Sequence, residues 1–138
     1  MARTTTLVFL GLASCAGRLP LPEHTRHVRE AFLPVPYPPP AGLAETVPPR
    51  PTRGETVWID GEWVFHGRSF VWQRGGWVYP PKNARFAPWR AVYQRDGRLF
   101  VAPGTWYDAS GNALPRPDVA VPATTPPNEA TAESQSGR

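Results

Sequence analysis

The sequence predicts an all-β fold, a small antiparallel β-meander of about four to six strands. Two observations predict it. The stretch Val57–Trp58–Ile59–Asp60–Gly61–Glu62–Trp63–Val64 repeats fourteen residues later as Val71–Trp72–Gln73–Arg74–Gly75–Gly76–Trp77–Val78, and such self-similarity marks a repeated structural unit. Turn-forming pairs also recur every seven residues, at Asp60–Gly61, Gly67–Arg68 and Arg74–Gly75. Apolar β-branched and aromatic residues fill the intervals, as strands require.

Each element follows from those turns. Asp60–Gly61 is a strong two-residue hairpin signal, because type I′ turns need positive φ at both central positions. It predicts Trp58 opposite Trp63. Arg74–Gly75 predicts Trp72 opposite Trp77 in the same way. Gly67–Arg68 fits a type II′ turn and sets Trp63 against Trp72, Val64 against Val71 and Phe65 against Phe70. Side chains alternate faces along a strand. One face is therefore expected to carry Trp58, Trp63, Trp72 and Trp77, with Phe65, Phe70 and Tyr79 beside them, and the other face the valines 57, 64, 71 and 78. This aromatic row is the candidate site, either as a binding surface or as the core of the unit. Arg68, Arg74 and Arg90 are candidate cation–π partners for it. A further hairpin is expected from Trp89 to Ala102 around Asp96–Gly97, with Tyr93 facing Phe100 and Val92 facing Val101. Pro103–Gly104–Thr105–Trp106 echoes the Gly-x-Trp of the earlier units.

Composition divides the rest of the chain. All six tryptophans lie between Trp58 and Trp106, and ten of the nineteen prolines lie between Pro20 and Pro51. The expected organisation is residues 1–14 as an export signal, 15–54 as a proline-rich linker, 55–107 as the tryptophan-rich β domain and 108–138 as a disordered tail. A 53-residue domain is marginally stable alone, and indoles, each burying ~150–250 Å², compensate. In the linker, Pro36–Tyr37–Pro38–Pro39–Pro40 and Pro48–Pro49–Arg50–Pro51 favour polyproline II. Fully extended, such a linker reaches on the order of 100 Å, which reads as a spacer or as a segment whose length has no purpose. Residues 23–33 between Pro22 and Pro34 admit about three helical turns. His24 and His27 there stand at metal-compatible spacing, but nothing nearby completes a ligand set, so a solvent-facing pair is the expectation and no metal or other cofactor is expected. The tail is poor in large apolar residues, so burial does not offset its ordering entropy.

The amino terminus carries a different signal. Arg3 precedes the apolar run Leu7–Val8–Phe9–Leu10–Gly11–Leu12–Ala13, and the small residues Ala13 and Ser14 precede Cys15. A charged start, a short apolar run and small residues at the cut make an export signal, and the run is too short to span a bilayer. The lone cysteine has no intramolecular partner, which leaves lipidation, a free thiol or an intermolecular disulfide.

Leu12–Ala13–Ser14–Cys15 resembles the lipobox of bacterial lipoproteins. That resemblance implies diacylglyceryl transfer to the Cys15 thiol and cleavage after Ser14. Ala16, in place of an aspartate, implies the outer membrane. The motifs Trp58–Ile59–Asp60–Gly61–Glu62–Trp63 and Trp72–Gln73–Arg74–Gly75–Gly76–Trp77, with the degenerate Val101–Ala102–Pro103–Gly104–Thr105–Trp106, resemble the WXXGXW (YXWGXW) repeat proteins of bacterial envelopes. The resemblance implies location and architecture rather than an activity.

No catalytic set emerges. His66 and Ser69 lack an orienting acid, and the turn assignment accounts for Asp60 without chemistry. Fifteen basic residues against eleven acidic ones form no basic run, and the expected export argues against a nucleic-acid partner. The expected role is a non-catalytic structural or interaction function at the envelope membrane. The alternative is a glycan-binding module for peptidoglycan or lipopolysaccharide, because sugar rings stack on an exposed aromatic face. A protein partner at open sheet edges is the third possibility.

Overall fold

The computed structural model describes residues 17–124. The export signal at 1–14, Cys15 and the last fourteen residues, 125–138, lie outside the described residues. Eleven short strands form the described chain, and every strand pair is antiparallel. They are β1 (Leu33–Val35), β2 (Val57–Ile59), β3 (Glu62–His66), β4 (Ser69–Gln73), β5 (Gly76–Val78), β6 (Arg85–Ala87), β7 (Arg90–Tyr93), β8 (Leu99–Ala102), β9 (Thr105–Tyr107), β10 (Ala113–Leu114) and β11 (Val119–Pro122).

The tryptophan repeat builds a single long hairpin, not a seven-residue meander. Around Gly67–Arg68, β3 pairs β4 with Trp63 opposite Trp72, Val64 opposite Val71 and Phe65 opposite Phe70. Gly67 has φ +64°, as a Gly-first turn demands. Further from the tip, β2 pairs β5, with Trp58 opposite Trp77 and Ile59 opposite Gly76. Trp58 stands five residues before Trp63, and Trp77 five after Trp72, so both pairings belong to one register. The ribbon is interrupted at Asp60–Gly61 on one arm and Arg74–Gly75 on the other. The expected hairpin turns at those dipeptides are absent. Neither Gly61 nor Gly75 takes the left-handed φ that a type I′ turn needs. Gly75 is instead a place of close approach: a Cβ there would come within 2.5 Å of the Ile59 carbonyl oxygen and 2.6 Å of the Gly61 nitrogen.

A second ribbon repeats the design. β7 pairs β8 at its tip, β6 pairs β9 beyond, and the break falls at Pro88–Trp89 opposite Pro103–Gly104. Its tip register differs by one from expectation: Tyr93 faces Leu99 and Val92 faces Phe100. The loop holds three residues, not two, with Gly97 at φ +83° and the Gln94 N–H donating to the Arg98 carbonyl at 2.9 Å. That is the turn-plus-left-handed-glycine form of hairpin. On the second arms, Gly75 and Gly104, like Trp77 and Trp106, are 29 residues apart, and Val101 takes the place of Trp72. The structural repeat is thus a whole broken ribbon.

The ribbons pack through their inner arms, where Ile59 and Val78 of the first meet Phe86 and Trp106 of the second. Near the tips, Phe65 and Phe70 pack against Val35, Leu99 and Val101.

The folded unit extends beyond 55–107 on both sides. β1 pairs β8, β10 pairs β9 and β11 pairs β5. Residues 20–25 lie along the first arms of both ribbons: the Trp58 N–H donates to the Pro20 carbonyl at 2.8 Å, and the Phe86 N–H to the Glu23 carbonyl at 2.8 Å. The expected helix over 23–33 reduces to one 3₁₀ turn, Arg29–Ala31, because the ribbon edge takes the backbone hydrogen bonds of the preceding residues. The tail enters through its valines, which complete the β5 edge, and through Asp108, whose carboxylate accepts from the Ser110 and Asn112 N–H groups to close a turn.

Candidate interaction site

The aromatic row is broken into pairs by the ribbon interruption. Trp58 and Trp77 meet edge-to-face at 5.5 Å between ring centres, Trp63 and Trp72 at 5.1 Å, and Phe65 and Phe70 at 5.0 Å. These are the close cross-strand contacts that stabilise antiparallel pairs by roughly 0.2–1 kcal/mol each. Trp58 and Trp77 are each 2 % exposed, packed with Ala123 and Val121 of the tail. Trp63, Trp72, Phe65 and Phe70 are half-buried. Tyr79 is exposed, and its hydroxyl donates to the Arg53 carbonyl at 3.1 Å. The valines do not form one face either: Val78 is fully buried between the ribbons while Val71 is exposed.

The proline-rich segment lies along the indoles as a strap. Trp63 Nε1 donates to the Ala41 carbonyl at 3.0 Å, Trp72 Nε1 to Glu45 Oε1 at 2.9 Å, and Trp77 Nε1 to the Pro48 carbonyl at 2.8 Å. Tyr37 packs edge-on against both Phe65 and Phe70, and its hydroxyl donates to the Arg68 carbonyl at 2.6 Å. Polyproline-like backbone has no internal hydrogen bonds, so its carbonyls are free to accept from indoles, whose N–H needs a partner when buried. The cation over an indole is Arg50, 5.8 Å from the Trp77 ring centre, and Arg98 stands 5.7 Å from that of Phe100. Arg68, Arg74 and Arg90 fill no such role among the described residues.

The two ribbon breaks share a polar waist. An interrupted ladder leaves a glycine N–H unpaired in each ribbon, and a carboxylate answers each one. Glu45 Oε2 accepts from the Gly75 N–H at 3.0 Å, and the Glu62 carboxylate accepts from the Gly104 N–H at 3.0 and 3.1 Å. Arg116 joins them. Its Nη2 donates to the Arg74 carbonyl at 3.1 Å, its Nη1 lies 3.9 Å from Glu62 Oε1, and it also feels the charge of Glu45. Burial pushes the Glu62 carboxyl above its ordinary range, against the opposing pull of the Gly104 N–H and Arg116. Burial likewise lowers the Arg116 pKa, opposed by the two carboxylates. Unpaired buried charge is costly, so the waist stabilises the fold only when complete.

This engagement defines what the site can do chemically. Asp60 and Glu62, two residues apart, are not poised as an acid–base pair. Asp60 accepts from Trp58 Nε1 at 2.7 Å, and Glu62 is held by Gly104. His66 is exposed opposite Ser69 at the ribbon tip. His24 bridges to Phe86, while His27 Nε2–H donates to the Pro88 carbonyl at 2.7 Å. The His24 link is made by the backbone and leaves its side chain exposed, whereas the His27 ring is held against the second ribbon, so the expected solvent-facing pair describes His24 alone. Among the described residues no group of three or more His, Cys, Asp or Glu side chains gathers as metal ligands. Beside the waist, a cleft of about 230 Å³ opens between the ribbons, lined by Leu21, His24, Asp60, Glu62 and Trp89 among others.

Glu45, Arg50 and Arg116 were not legible as site residues. Each acts from 27 or more residues away along the chain, apart from the Arg50–Thr56 contact. The one available signal was the degenerate copy at 101–106, with Val101 in place of its first tryptophan, whose glycine marks the second break.

Comparison of the chain with protein-family models, with curated proteins and with solved structures finds no match.

Proposed function

We propose that this chain is a lipid-anchored protein of the bacterial envelope, placed at the outer membrane by Ala16, whose two-ribbon unit plays a non-catalytic structural or interaction role. The observation that carries the reading is the internal use of the chemistry-bearing groups. The indoles of Trp63, Trp72 and Trp77 are bonded to the strap, and both waist carboxylates are bonded to backbone glycines. The aromatic row thereby serves to bind the chain's own proline-rich segment. Among the described residues, one surface open to a protein partner is the unpaired β7 edge, whose four residues are all exposed, Tyr93 to 65 %. An unpaired edge is a template for an added strand. A photo-cross-linker at position 93, expressed in cells, is expected to give one discrete adduct; absence of any adduct contradicts an interaction through this edge.

Glycan binding is the second reading. The buried Trp58 and Trp77 offer no stacking face, so the cleft beside Trp89, Asp60 and His24 is the place that supports it. Peptidoglycan fragments are then expected to shift the tryptophan fluorescence, and a Trp89→Ala variant to lose that shift. An unchanged spectrum with no pull-down removes the reading.

A further inference from the structure

The amino-terminal segment is bound to the β unit almost from its first described residues. The Pro20 carbonyl accepts from the Trp58 N–H at 2.8 Å, the Glu23 carbonyl accepts from the Phe86 N–H at 2.8 Å, and the Thr25 N–H donates to the Phe86 carbonyl at 2.9 Å. Cys15 precedes Pro20 by five residues. Extended chain spans at most ~3.3–3.6 Å per residue, so the cysteine stands roughly 20 Å or less from the first fixed point. A free proline-rich spacer over 16–54 would instead reach on the order of 100 Å. The strap contacts described above remove that spacer.

We infer that acyl chains on Cys15 hold the β unit against the bilayer, and that the surface formed by Arg18, Leu19 and Leu21 is its contact with the lipid headgroups. The inference rests on the lipid-anchor reading. Leu19 and Leu21 are 39 % and 55 % exposed, two large apolar side chains within three residues. Arg18 beside them is exposed. Leucine suits the acyl boundary, and a cation favours the anionic surface of a membrane. The nearby Glu23 is neutralised by Arg85 at 2.9 Å, and Asp60 is engaged by Trp58, so neither carboxylate stands free to oppose the contact. These residues lie at the base of the tether and are therefore the first part of the unit to meet the membrane.

The lone cysteine allows the full chain to be coupled through Cys15 to a maleimide phospholipid. The support is a bilayer of phosphatidylcholine with a minority of phosphatidylglycerol. Neutron reflectometry then reads the height of the protein layer. The β unit is expected to begin within roughly 20 Å of the headgroups; a water layer several times wider overturns the inference. Hydrogen–deuterium exchange of the Leu19 and Leu21 amides is expected to slow on the bilayer. In an L19E/L21E double variant the slowing should vanish while the tryptophan fluorescence stays unchanged. Exchange in the parent chain that ignores the bilayer overturns the contact surface. The mass of the amino-terminal peptide from producing cells reads native acylation separately. Its failure removes the anchor reading without altering the measured height.

Discussion

Glu62 illustrates how a single side chain holds two distant parts of the chain. Its carboxylate is buried, accepts from Gly104 of the second ribbon and lies near Arg116 of the tail. Replacement by Ala leaves the Gly104 N–H without a partner, and the expected loss is about 1–3 kcal/mol, read by denaturant unfolding. The pH dependence follows from the raised pKa. A carboxyl whose pKa is higher folded than unfolded binds more protons in the folded state, so its contribution is complete below the unfolded value of 4.5 and is lost as pH rises through the folded value. Glu62→Gln has no such titration. The difference in stability between the parent and E62Q is therefore expected to shift in favour of E62Q as pH rises above 4.5. A constant difference across that window contradicts the assignment. The two equivalent tryptophans offer a second comparison. Trp77 Nε1 is bonded to the Pro48 carbonyl, whereas the buried Trp106 Nε1 has no partner among the described residues. Trp77→Phe is expected to cost about 1 kcal/mol more than Trp106→Phe, the net worth of one hydrogen bond; equal losses contradict the strap contact.

Among the elements, the ribbon tip was legible and the ribbon breaks were not. Gly67–Arg68 has the turn chemistry, and the pairs Trp63–Trp72 and Phe65–Phe70 match across it, so local rules sufficed. Asp60–Gly61 carries the same local signal but a different cause. Its neighbours need close approach, not reversal, and that need appears only when the opposite arm is present. Two glycine variants separate these causes. Gly75→Ala places a Cβ within 2.6 Å of two backbone atoms, which cannot yield without moving an arm. Gly67→Ala meets open space and carries only the strain of φ +64°, about 1–3 kcal/mol. Thermal unfolding is expected to show the larger loss for Gly75→Ala. The reverse order contradicts the interrupted-ribbon geometry.

For the whole molecule, the all-β antiparallel class was legible in the alternation of tryptophan and valine, while the extent of the folded unit was not. Low apolar content in 16–54 and after Asp108 read as absence of structure, because composition measures what a segment buries of itself. The strap instead supplies acceptors for indoles located elsewhere, and the tail supplies Val121 and Ala123 as a cover for Trp58 and Trp77. Prolines also lower the entropy lost on ordering, so a segment with little burial of its own still docks. Residues 55–107 alone are accordingly expected to lack a cooperative unfolding transition, which residues 17–124 retain; calorimetry on both reads the difference.

The claim on which all of this depends is that the proline-rich segment is an integral part of the β unit, bonded to the tryptophan row. Hydrogen exchange of the indole N–H groups in the full chain tests it most directly. The Nε1–H of Trp63, Trp72 and Trp77 should exchange far more slowly than a free indole, and Glu45→Ala should accelerate Trp72 selectively, since Glu45 is its acceptor. Exchange of all three at the rate of free indole would show the strap detached and contradict the account.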